Sequence, residues 1–74
     1  MTNEELNRQY AERAAAERAA GGSIEINEGI PYVAIKLSDG AEYFFQEWQA
    51  DDLLATVPDW AHREDYLLAQ AQNW

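Results

Sequence analysis

The chain contains no cysteine, which excludes a disulfide, a thiolate metal site and a thiol nucleophile. Basic residues are scarce: five Lys and Arg stand against fourteen Asp and Glu, for a formal net charge of −9. Contacts to phosphate need Lys and Arg, so direct binding to nucleic acid is not expected, nor is an anionic membrane surface. No apolar run approaches the ~18 residues of a membrane span. The opening MTNEELNRQY lacks the basic-then-apolar pattern of a secretory signal. A cytoplasmic protein is expected.

What is present points to one small globular domain over residues 1–74. Hydrophobic residues make up 47% of the chain, with three Trp, too many for a wholly disordered segment. Seventy-four residues lie near the lower limit for a self-sufficient core, and self-association is one ordinary form of help.

The aromatic residues gather in Tyr32–Trp48, YVAIKLSDGAEYFFQEW, which holds five of the nine. Asp39-Gly40 between apolar runs signals a hairpin. A two-residue loop would set Leu37 opposite Glu42 and place a carboxylate on the apolar face. A three-residue loop, Ser38-Asp39-Gly40 with Gly40 left-handed in a bulge, sets Leu37 opposite Ala41, Ile35 opposite Tyr43 and Val33 opposite Phe45. Lys36 then opposes Glu42, an opposite-charge pair worth roughly 0.2–1 kcal/mol. Because a register slip turns every side chain over, the three-residue loop is the expectation.

Before this hairpin, Thr2 and Glu5 form a capping box that starts a helix at Asn3. It runs through an Ala-, Glu- and Arg-rich stretch to Gly21-Gly22, where glycine takes a left-handed cap. Its only large apolar residues are Leu6 and Tyr10, so it should pack weakly through small residues. It either lies on the sheet with close approach, which is preferred, or pairs as an arm with a second copy. Ser23–Asn27 alternates polar and apolar as a half-buried strand does. A three-stranded antiparallel meander over 23–27, 31–37 and 41–46 follows. One face carries Ile24, Ile26, Val33, Ile35, Leu37, Tyr43 and Phe45; the other carries Glu25, Tyr32, Ala34, Lys36, Glu42 and Phe44. After Phe45 the period changes to helical, with a short helix over 47–56 ended by Pro58. Asp59 is a good N-cap for a last helix over about 60–73, whose stripe is Trp60, Leu67, Ala71 and Trp74. The fold class expected is α+β, in the order α-β-β-β-α-α, with the helices on one face of the sheet.

No residue pattern carries catalysis. His62 has Glu64 and Asp65 at i+2 and i+3, not the i+4 spacing that sets two metal ligands side by side. Ser23 and Ser38 sit at a strand edge and a turn, and adjacent Asp51 and Asp52 diverge on a helix. No enzyme activity, metal or cofactor is expected. Tyr32, Phe44, Trp48 and Tyr66 could stack on bases, but that mode demands a cationic groove. Their alternatives are core packing or a protein interface, where Trp and Tyr are typical anchors.

The charge pattern is the strongest lead. Residues 1–23 are nearly balanced, at −1, whereas residues 24–74 carry −8. The ten acids of that second part are Glu25, Glu28, Asp39, Glu42, Glu47, Asp51, Asp52, Asp59, Glu64 and Asp65. Carboxylates two apart on a strand lie roughly 6.8 Å apart, comparable with neighbouring phosphates on one strand of a duplex. Such an array either only solubilises the domain or is aimed at a cationic partner.

In size, a pI near 4.2, absence of Cys and lack of enzyme signatures, the chain resembles small acidic proteins of phages and mobile elements. Anti-CRISPR proteins and DNA mimics that block restriction enzymes are among them. The resemblance implies a non-enzymatic inhibitor, in the cytoplasm of a bacterial host cell, bound tightly to a CRISPR-Cas surveillance complex or similar nuclease. It would sit on the basic surface that receives DNA. The expected partner-binding residues are the ten acids together with Tyr32, Phe44 and Trp48. The alternative is a small phage accessory or antitoxin-like module that self-associates, as a homodimer through the first helix and Trp74.

Overall fold

The computed structural model describes residues 1–74. Helix α1 spans Asn3–Ala19, strands β1, β2 and β3 span Ser23–Asn27, Tyr32–Lys36 and Glu42–Gln46, and helices α2 and α3 span Glu47–Ala55 and Arg63–Ala71. The domain is α+β with the expected α-β-β-β-α-α order, and the sheet is an antiparallel meander, β1-β2-β3.

The hairpin takes the three-residue loop. Val33 pairs with Phe45, Ile35 with Tyr43 and Lys36 with Glu42. The Leu37 N–H donates to the Ala41 carbonyl at 2.8 Å. Gly40 has φ +97°, a conformation that side-chain-bearing residues rarely adopt. The Asp39 carboxylate accepts from the Ala41 N–H at 2.9 Å and closes the turn.

Helix α1 is capped at both ends as the sequence predicts. Thr2 Oγ1 accepts from the Glu5 N–H at 3.2 Å. At the other end Gly21 has φ +113°, and the N–H groups of Gly22 and Gly21 donate to the carbonyls of Glu17 and Arg18. These two bonds form a Schellman motif. The Glu17 carboxylate then accepts from the Ser38 N–H, tying the end of α1 to the hairpin loop.

The core is one cluster: Ala14, Val33, Ile35, Leu37, Ala50, Leu67, Leu68 and Ala71. Helix α3 packs on β1, and α2 on β2 and β3. The role of α1 differs from the expectation. Ala14 enters the core as a small residue should, but the main partner of α1 is α3, not the sheet. Tyr10 supplies much of this contact: its ring centroid lies 4.9 Å from Tyr66 and 6.1 Å from Trp60.

The last helix also starts later than expected, at Arg63 after His62, and Asp59 is not its cap. Residues 58–61 close their own turn, with the Ala61 N–H donating to the Pro58 carbonyl at 3.0 Å. Asn7 of α1 accepts from the His62 N–H at 3.1 Å. Trp60 is therefore off the helix, packed against Tyr10 and Tyr66. Trp74 lies past its end, edge-on to Tyr43 and Phe45. No helix is long and apolar enough to cross a membrane.

Candidate functional site

Strand alternation sends Val33 and Ile35 into the core and leaves the other face of the sheet uncovered. On that open face Tyr32 stacks against Phe44, with centroids 5.8 Å apart and an interplanar angle of 25°. Phe44 is 57% exposed. The Tyr32 hydroxyl donates to Glu25 Oε1 at 2.6 Å. That bond to a carboxylate raises the Tyr32 pKa above the ordinary tyrosine value, since ionised Tyr32 would face Glu25 without a proton to share. Lys36 reaches Glu42 at 3.9 Å. Glu25, Tyr32, Glu42 and Phe44, each expected from sequence, thus share one surface.

The face continues past the end of β3. Ile30, Pro31, Tyr32, Phe44, Gln46 and Glu47 line one shallow depression, and Ile30 is 74% exposed. Glu47 turns the chain from strand to helix with φ 42°, while its N–H donates to the Pro31 carbonyl at 2.8 Å. On α2, Trp48 is 68% exposed, and Asp51 and Asp52 face solvent beside it. Trp48 and Asp52 border a second shallow groove with Phe45, Gln49, Leu53 and Thr56.

The remaining expected residues lie elsewhere. Glu28 is held by Arg63 at 2.7 Å, and Asp65 by Arg18 at 2.8 Å, with Glu64 3.7 Å from the same guanidinium. These pairs border a cleft between β1 and the start of α3, lined also by Ile26 and His62. Asp39 is engaged in the hairpin loop, and Asp59 is exposed between α2 and α3. Six of the ten acids, Glu25, Asp39, Glu47, Asp51, Asp52 and Asp59, have no cation within 4 Å. Glu28, Glu64 and Asp65 are neutralised beside β1 and α3 and Glu42 by Lys36, whereas three of the six uncompensated acids, Glu47, Asp51 and Asp52, lie on α2.

No group of three or more His, Asp and Glu side chains is placed to hold a metal. His62 lies at the start of α3, whereas the Ser38 N–H is bound by Glu17. Sequence reasoning missed Ile30 as a surface residue. Its position between Gly29 and Pro31, outside any alternating run, was the available signal.

Comparison with protein families, curated proteins and solved structures finds no match to this chain. The functional reading rests on the site alone.

Proposed function

We propose that this protein is a non-enzymatic inhibitor that binds a basic, nucleic-acid-receiving surface of a CRISPR-Cas surveillance complex or similar nuclease, acting as an acidic DNA mimic. The observation that carries the reading is that uncompensated acids and exposed apolar anchors adjoin around the β3–α2 junction. Glu47, Asp51 and Asp52 lack cationic partners, and they adjoin Trp48 and, through Glu47, the Tyr32–Phe44 stack. Acids in such an arrangement steer association with a cationic surface, while desolvated aromatics hold the complex. Self-association through α1 has less support, because the half-buried Tyr10 is already packed against Trp60 and Tyr66 of the same chain.

The test is competition against DNA for a purified surveillance complex. Asp51→Ala/Asp52→Ala should raise the concentration needed for half-inhibition at least ten-fold, with an unchanged melting transition. Inhibition should also weaken as salt rises, since the steering charges are exposed. If this pair and Glu25→Ala/Glu28→Ala both inhibit as well as the parent, the reading falls.

A further inference from the structure

Strand β3 forms one edge of the sheet, and its hydrogen-bonding parity can be read from its two ends. Leu37 donates to the Ala41 carbonyl and Glu47 donates to the Pro31 carbonyl, each at 2.8 Å. Residues 41, 43, 45 and 47 therefore face β2, and the N–H groups of Glu42, Phe44 and Gln46 point away from the sheet. None of the three donates to a loop, turn or side-chain acceptor, and β2 is the only strand beside β3. Aromatic rings flank the edge on both sides: Phe44 on the open face, and Phe45 with Trp74, 5.7 Å apart, on the helix face. Trp48 follows immediately on α2.

An open edge invites another strand, and proteins commonly blunt such edges with charge. Here the charge has one sign. Glu42 and Glu47 flank the strand, and Asp51 and Asp52 follow on α2. Lys36, 3.9 Å from Glu42, is the one cation paired to this group. A second copy of the chain would bring these acids against their own kind, adding one net charge of −9 to another. An extended segment rich in Lys and Arg meets no such penalty.

We infer that the outer edge of β3 is a docking site for an extended basic segment of a partner protein, added as a fourth strand through backbone hydrogen bonds to Glu42, Phe44 and Gln46. Alternate side chains of that segment would lie against Phe44 on one face and against Phe45, Trp48 and Trp74 on the other. The inference rests on the inhibitor reading for its cationic partner and adds the mode of attachment.

The test uses the full chain and an end-blocked seven-residue peptide alternating lysine and valine, followed by amide NMR and hydrogen exchange. Binding should slow exchange at Glu42, Phe44 and Gln46 by at least ten-fold. A peptide of the same sequence with every backbone nitrogen methylated should bind at least ten-fold more weakly. Equal binding by both peptides, without protection at β3, overturns strand addition while leaving a charge-driven inhibitor standing. Binding by neither peptide at low salt overturns the basic partner as well. A dimer in sedimentation, with the three amides protected before peptide is added, assigns the edge to a second copy and also overturns the inference.

Discussion

Helices α2 and α3 are each nine residues long, yet they serve opposite ends. Helix α3 buries Leu67, Leu68, Ala69 and Ala71, and its first-turn acids are met by Arg18. Helix α2 buries only Ala50 and presents Trp48, Asp51 and Asp52 to solvent with no cation near. Both helices carry acids at their starts, where the helix dipole favours them. Local electrostatics therefore does not separate them. What does is α1, which lies along α3 and brings Arg18 with it. One helix holds the fold together, and its equal in length is left available.

The contrast can be broken by measurement. Leu68→Ala removes a fully buried side chain of α3 and should lower the unfolding free energy by about 2–5 kcal/mol in urea titration. A loss below 1 kcal/mol would mean that α3 is not the anchor. Glu47→Gly, at the φ 42° start of α2, should relieve left-handed strain and raise stability by about 1 kcal/mol. Destabilisation there would show that the Glu47 side chain holds the strand–helix junction. Arg18→Ala should cost less than about 1 kcal/mol, because its ion pairs are partly exposed. In 1 M salt that difference should shrink, since screening acts over about 3 Å. Trp48→Ala should change the unfolding free energy least, within about 0.5 kcal/mol, while reducing inhibition. A larger effect on stability would place Trp48 in the structure and not in an interface.

Much of the fold was legible because its signals are local. Asp39-Gly40 with the Lys36–Glu42 pairing fixed the loop length, and Thr2 with Gly21 bounded α1. The start of α3 was misread for a reason outside any local window. Asp59 has the chemistry of a cap, but Pro58–Ala61 closes a turn, and Asn7, fifty-five residues earlier than His62, takes the N–H that defines the helix start. The same limit applies to the site. Tyr32, Phe44, Glu25 and Glu42 follow from strand alternation and were expected together. Glu42 was expected to face Lys36 and does, but the other neutralised acids were not readable, since Arg63 meets Glu28 across 35 positions and Arg18 meets Asp65 across 47.

The three tryptophans occupy three different surroundings, and this gives the protein its own optical reporters. Trp60 is packed among tyrosines, Trp74 leans 47% exposed on Tyr43 and Phe45, and Trp48 stands nearly free. Emission from Trp48 should be the most red-shifted of the three and the most open to quenching by neutral acrylamide. Iodide should quench it poorly, because Asp51 and Asp52 repel the ion. Occupation of the β3 edge should therefore be visible as a blue shift and a loss of acrylamide quenching, with no label attached.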